Sequence, residues 1–467
     1  MSSFKKLDTA ASHLFRESAL PALIRFVEIP CKSSDFDPEW EAHGLLLESC
    51  RLAAAWAARH FPQAHFEVLE QAGRTPALFF DIAATDATKP DVFFYGHFDK
   101  QPEAQGWSEG RAPFCPTLEG NALYGRGCAD DGYAFYSAVT ALKALDEAGI
   151  GRGRAMGLIE TDEESGSADI AHWLTRVADR VRNCRLAVVL DSTAGDYERL
   201  WATMSFRGCI NMTLRVKVLE HAVHSGTASG IVPDSFMIAR QLLSRLEDPA
   251  TGRIADTRLN VTIDPRQLEK LRRSAQLLGA SVLQEFPWAP GVQPRTADVA
   301  QAVVDRSFTP QLAVLGADGL PDIARAGRVM RPETALALSL RTPPGLDVQK
   351  AGEALREILT SQPPYNARVS LELTGIGPGW CAKTDNEEFY RTLDAVSQDV
   401  FGADAGYVFD GASIPILDLM NSFMPQAQFL VTGVLGPHSN AHGPDEMLRL
   451  DYCEKLIQAT ARIVAAV

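Results

Sequence analysis

The run Val92-Phe93-Phe94-Tyr95-Gly96-His97-Phe98-Asp99 decides the fold of this chain. An unbroken apolar stretch of this length is what a strand covered on both faces looks like, and such strands belong to parallel sheets flanked by helices. The run ends in polar residues. Because side chains alternate along an extended chain, His97 and Asp99 fall on the same side. They sit at the strand end where open α/β sheets gather their ligands.

The same form recurs further along. Met156-Gly157-Leu158-Ile159 leads into Thr161-Asp162-Glu163-Glu164, residues 186–190 lead into Asp191, and residues 429–435 lead into His438 and His442. Repeated endings of this kind imply one shared cleft. Together with Asp130 they supply enough carboxylate and imidazole ligands for two divalent metal ions, the set expected of a two-metal hydrolase.

The chain has 467 residues, which predicts more than one domain. Residues 22 to about 200 alternate apolar runs with helical patterns such as Tyr133–Ala148, the texture of βαβ units. After Arg207-Gly208 the texture changes: 209–218 reads as a half-exposed strand, 234–246 as an amphipathic helix, 335–341 as a strand and 348–360 as a helix. A helix is also expected over 267–278, and Phe286-Pro287-Trp288-Ala289-Pro290 reads as an irregular surface segment. The expected architecture is therefore α/β: a catalytic domain of residues 1–205 and 380–467, with a mostly parallel sheet flanked by helices, interrupted by an α+β domain over 206–379.

Composition excludes several classes. A hydrophobic fraction of 46% with 22% charged residues is that of a globular protein, and the net charge of -14 makes nucleic acid an unsuitable partner. No apolar stretch reaches the roughly 20 residues that span a bilayer, and the N-terminus lacks the apolar core of a secretory signal. No membrane association is expected, and the expected location is the cytoplasm. The eight cysteines form no CxxC pair, so a thiolate zinc site or disulfide framework is not expected. Cys128, two residues from Asp130, reads as a small buried hydrophobe.

Asp130 is the natural bridge between two ions. It follows Tyr124-Gly125-Arg126-Gly127 and precedes Asp131-Gly132 at a helix start. Two adjacent buried aspartates repel each other at a cost that a cation removes; the plain alternative is that both only cap the helix. His97 can ligate while Asp99 orients it. In Glu163-Glu164, neighbouring side chains point in different directions, so one carboxylate can bind metal while the other serves as general base toward a metal-bound water.

These motifs resemble the M20 family of metallopeptidases, which includes cytosolic dipeptidases, carnosinase-like enzymes, carboxypeptidases and N-acyl amino acid deacylases. The resemblance rests on Tyr95-Gly96-His97-Phe98-Asp99, the stretch from Tyr124 through Asp130-Asp131-Gly132, Glu163-Glu164-Ser165-Gly166-Ser167, Asp191, His224-Ser225-Gly226 and Ala441-His442-Gly443-Pro444-Asp445-Glu446. It implies that His97 and Asp191 bind one metal, Glu164 and His442 the other, and that Asp130 bridges them through a cis Asp130–Asp131 peptide. Glu163 would activate the bridging water and return its proton to the leaving amine, and Asp99 would orient His97. The 206–379 insertion looks like the family's lid and dimerisation domain. There His224 would stabilise the oxyanion across a homodimer interface, and Arg341 would anchor a substrate carboxylate through its planar fork.

The stretch Phe409-Asp410-Gly411-Ala412-Ser413-Ile414-Pro415 matches a substrate loop, with Gly411 and Ser413 as contacts, but lacks the arginine that dipeptidase relatives carry. His438 competes with His442, which is preferred because it carries the following Gly-Pro-Asp-Glu context. The expected activity is metal-dependent hydrolysis of the amide bond of dipeptides or other small substrates with a free carboxylate. The alternative is an N-acyl amino acid amidohydrolase, a deacylase or desuccinylase. Zn is the first choice of metal; Mn or Co also fit a mixed histidine and carboxylate site.

Overall fold

The structure is a computed structural model that describes residues 3–412 and 416–467. The chain divides into two compact units: residues 1–203, 382–408 and 419–467 form the first, and residues 204–381 and 409–418 the second.

The first unit is built on one sheet. Its strands lie in the order His65–Gln71, Arg74–Ile82, Ala155–Glu160, Val92–His97, Leu186–Val189 and Gln428–Val431. Val92–His97 pairs in parallel with both of its neighbours, and Gln428–Val431 adds in parallel to Leu186–Val189. Only Arg74–Ile82 runs against the rest, antiparallel to the strands on either side. The expected mostly parallel sheet is therefore present, with an antiparallel pair at one edge. Every residue of Val92–His97 and of Ala155–Glu160 is buried, as their continuous apolar runs require.

The helix Tyr133–Ala148 covers this sheet, with Phe135 edge-to-face against Phe80 and Phe98. Its close approach depends on Gly96: a Cβ there would lie 2.6 Å from Asp131 Oδ2 and 2.8 Å from Ala134 Cβ. Parallel alignment carries the ends of Val92–His97, Ala155–Glu160 and Leu186–Val189 to the same edge, so His97, the Glu163 turn and Asp191 emerge together.

The second unit holds an antiparallel sheet in the order Gln311–Asp318, Glu333–Thr342, Gly208–Lys217, Arg368–Gly377. Burial alternates along Gly208–Lys217, the pattern of a sheet with one face packed and one face wet. Ile210, Met212, Leu214 and Val216 join Ile238 and Leu242 of the helix Ser235–Leu246 and Leu355 and Leu359 of the helix Val348–Thr360 in one core. Asp234 and Asp347 cap these helices, accepting from the backbone N–H groups of Met237 and Lys350.

Residues 409–412 join the second unit through local hydrogen bonds. Asp410 N–H donates to the Ser205 carbonyl, Arg207 N–H to the Ala412 carbonyl, and Ser307 Oγ to the Phe409 carbonyl.

Candidate metal centre

In the first unit, ligand-type atoms form two groups that share one residue. His97, Asp130 and Asp191 make the first; Asp130, Glu164 and His442 make the second. Asp130 faces both ways. Its Oδ1 lies 3.3 Å from His97 Nε2, and its Oδ2 lies 3.0 Å from His442 Nε2. His97 Nε2 is also 3.9 Å from Asp191 Oδ2, and His442 Nε2 is 3.3 Å from Glu164 Oε2.

Each side chain is aimed by its element. His97 ends its strand and is almost fully buried, its backbone N–H donating to Asp131 Oδ2 at 3.2 Å. Its Nδ1 meets the Asp99 carbonyl at 3.0 Å, and the Asp99 carboxylate stands slightly farther off, at 3.4 Å. That carboxylate is occupied elsewhere: it accepts the N–H groups of Glu163 at 3.1 Å and Glu164 at 2.9 Å. Asp99 thus fixes His97 largely through its backbone and the Glu163–Ser165 turn through its side chain.

Asp191 follows Leu190, whose carbonyl accepts from Tyr133 Oη. His442 sits in a loop where His438, Asn440, His442 and Asp445 all take left-handed backbone angles. The Asp130–Asp131 peptide is cis.

The electrostatics call for a cation. Burial pushes the Asp191 carboxyl up to about 7, against the pull of His97 and reinforced by Asp130. Glu163 is driven well above the carboxylate range by burial and then by Asp191. Burial opposes ionisation of Asp130, yet His442 and His97 hold it below its usual value. Hydrogen bonds to Asp130 and Glu164 raise His442 to about 10. The imidazoles take up positive charge that the crowded carboxylates demand, which is the service a bound cation would render.

Two atoms make the fit to metal specific. His97 Nε2 and Glu164 Oε1 are buried with no hydrogen-bond partner, one in each group. Orphaned buried polar atoms are costly, and coordination satisfies them. The donor set of imidazole nitrogen and carboxylate oxygen suits a divalent ion.

Residues outside the expected set hold this arrangement. Glu446 is fully buried and receives Arg126 Nη1 at 2.7 Å. It also accepts the N–H groups of Gly127 at 3.0 Å, Ala129 at 3.0 Å and Asp130 at 3.1 Å. Arg126 in turn donates to the carbonyls of Gly443 at 2.9 Å and Pro102 at 3.1 Å. One ion pair therefore fastens the Asp130 loop, the His442 loop and the segment in which Gln101 donates to Glu164 Oε2 at 2.6 Å. Both partners lie inside motifs that the sequence analysis singles out, but nothing in a linear reading pairs residues so far apart.

The remaining candidates lie elsewhere. His438 is exposed and belongs to neither group. Cys128 is buried, with its thiol donating to the Leu123 carbonyl at 3.3 Å. In the second unit, His224 is exposed at the end of Val223–His224, and Arg341 is half-buried, opposite Cys209 and Gln311 in the sheet. Gly411 packs between Arg207 and Arg306, where a Cβ would lie 3.2 Å from Arg207 Nη2 and 3.0 Å from Arg306 Cγ. Ser413 lies outside the described residues.

A sequence model of peptidase family M20/M25/M40 matches residues 93–466. The cysteinylglycine-S-conjugate dipeptidase of Corynebacterium striatum is 25% identical over 366 residues, 76% of this chain and 76% of that one. The human Beta-Ala-His dipeptidase is 25% identical over 359 residues, 74% of this chain and 69% of that one. The solved di-peptidase Dug1p from Saccharomyces cerevisiae superposes with a TM-score of 0.73 at 18% identity, covering 100% of this chain and 98% of that one, and shares the fold.

Proposed function

The chain belongs to peptidase family M20/M25/M40, and from that premise we propose that it is a dipeptidase cutting the amide bond of small peptides that bear a free carboxylate. The observation that carries this reading is the pair of ligand groups sharing Asp130, with an orphaned buried atom in each. His97 and Asp191 would hold one divalent ion and Glu164 and His442 the other, with Asp130 between them and Zn preferred. Bound ions supply Lewis acidity that polarises the scissile carbonyl and brings the pKa of a water to about 7.

The chain's own residues do the rest. Glu163, whose burial beside Asp191 raises its proton affinity, takes the proton of the attacking water and passes it to the leaving amine. Asp99 keeps the Glu163 turn and His97 in register. Of the second unit, Arg341 would offer a planar fork for the substrate carboxylate, His224 would polarise the carbonyl oxygen and Gly411 would contact the substrate, a role also proposed for Ser413, which lies outside the described residues.

The second unit would also join two copies into a homodimer. Gln311–Asp318 is an edge strand that leaves Val314 and Leu315 54% and 68% exposed, an edge that invites pairing. No helix is long and apolar enough to cross a membrane among the described residues, and all eight cysteines are free. Free thiols fit the reducing cytoplasm.

Parallel assays of purified, metal-analysed protein with dipeptides and with N-acetyl or N-succinyl amino acids test the proposal. Dipeptide turnover is expected. Turnover confined to the acylated set would replace it with an amidohydrolase.

A further inference from the structure

Beyond His97 the chain keeps the alternation of its strand. Phe98 and Lys100 turn to one side, where the Phe98 ring lies 5.2 Å from that of Phe26 and Lys100 Nζ stands 4.3 Å from the same ring. His97, Asp99 and Gln101 turn to the other, toward the two ligand groups. Gln101 is half-buried, and its Nε2 donates to Glu164 Oε2 at 2.6 Å.

Gln101 is held between two pinned residues. Lys100 is fully buried, and its Nζ donates to the carbonyls of Phe26 at 3.0 Å, Val27 at 3.2 Å and Ile29 at 2.7 Å, at the C-terminal end of the helix Leu20–Val27. Its backbone is equally committed: the N–H donates to the Cys31 carbonyl and the carbonyl accepts from Ser33, both at 3.0 Å. The Lys100 stem also fills the space over Gly127, where a Cβ would lie between 2.6 and 2.9 Å from three of its carbons. On the other side the Pro102 ring restricts the chain, and the Pro102 carbonyl accepts Arg126 Nε at 3.1 Å. The amide is thus aimed before any ion arrives.

We propose that Gln101 is a positioning residue of the metal centre that aims the Glu164 carboxylate without adding charge, an inference that rests on the two-ion reading above. Asp99 ties down the Glu164 backbone N–H at 2.9 Å, and Gln101 ties down the side chain, so two residues of one strand exit fix both ends of Glu164. The neutrality of the donor matters. A lysine or arginine at 101 would itself neutralise Glu164 and stand in for the ion, and an acid would add to the repulsion among carboxylates. An amide nitrogen only donates, and it leaves the charge of the group for the ion to meet. Glu164 belongs to the group with Asp130 and His442 and not to the one with His97 and Asp191, so the effect falls on one ion.

The test is a calorimetric titration of cobalt(II) into chelator-stripped, full-length protein, parent against Gln101→Met. Methionine keeps the length and bulk of the side chain but cannot donate, so a space-filling role predicts no change. The parent should take up two ions, and Gln101→Met should bind one of them about 10–100-fold more weakly, the usual cost of losing a ligand's outer hydrogen bond, with the other as in the parent. Gln101→Asn, which carries the same amide one methylene short of Glu164, should behave like Gln101→Met. Melts of the stripped proteins should coincide, which separates lost affinity from lost fold. Parental affinity for both ions in Gln101→Met, or equal weakening of both, would overturn the role of Gln101 alone. A parent that takes up no ion would overturn the two-ion reading as well.

Discussion

At the residue scale the centre separates the groups that would hold metal from the group that would move the proton. Glu163→Gln removes the proposed base but no member of either ligand group. Its metal content should therefore match the parent while kcat falls by about 10²–10⁴; turnover near the parent's would remove Glu163 from its role. Asp130→Ala should lose both ions by elemental analysis, because Asp130 belongs to both groups.

The buried Arg126–Glu446 pair acts one layer out. Glu446→Gln leaves the Arg126 charge uncompensated, and breaking such a pair costs about 3–5 kcal/mol. The variant should melt lower and lose occupancy of the Asp130, Glu164 and His442 group first; full occupancy by both ions would refute the positioning role. Glu160, the register partner of His97 in the sheet, adds a pH signature. Burial lifts its carboxyl to about 8 from 4.5, so its folded-state pKa lies above the unfolded one. The stability it contributes is full below about 4.5 and lost as pH rises through about 8. In urea melts, Glu160→Gln should gain on the parent steadily across that window, and a constant gap would contradict the assignment.

At the element scale, continuous apolar runs and clean helical periods were readable, and lone edges were not. The helix Tyr133–Ala148 and the helix Val348–Thr360 coincide with their expected bounds: the first is apolar and buried nearly all round, and the second buries one face. Gln428–Val431 is shorter than the apolar run over 429–435, because the chain leaves the sheet to reach the His442 loop. Gln311–Asp318 escaped notice: it is an exposed edge strand, so no alternation of buried and exposed residues marks it. Arg368–Gly377 also alternates poorly, with one edge unpaired. Gly96 packs closely against the helix Tyr133–Ala148 and Asp131. Gly96→Ala should cost about 1–3 kcal/mol by overpacking and weaken metal binding, since the crowded atom is Asp131 Oδ2. Chemical denaturation with a parallel metal titration checks both effects.

At the scale of the whole molecule, the charges that define the centre also burden the metal-free fold. Chelation should lower the thermal midpoint, and restoring a divalent ion should recover it, with a gain of about 2.7 kcal/mol when free metal reaches 100 times its Kd. A midpoint insensitive to chelation would mean that the two groups hold no ion. The proposed homodimer is tested separately: the parent should sediment as a dimer, and Leu315→Lys on the exposed edge strand should shift it to monomer.

The sequence by itself determined the parallel sheet, the interrupted domain and the polar endings that furnish His97, Glu163, Glu164, Asp191 and His442, because local periodicity records which face of an element is buried. The tertiary structure alone decided that Asp130 stands between two imidazoles, that Asp99 clamps the Glu163 turn, that Glu446 and Arg126 lock three loops together, and that Gln101 donates to Glu164. Those facts depend on distances of a few ångströms between residues remote in the chain, and no local pattern carries them.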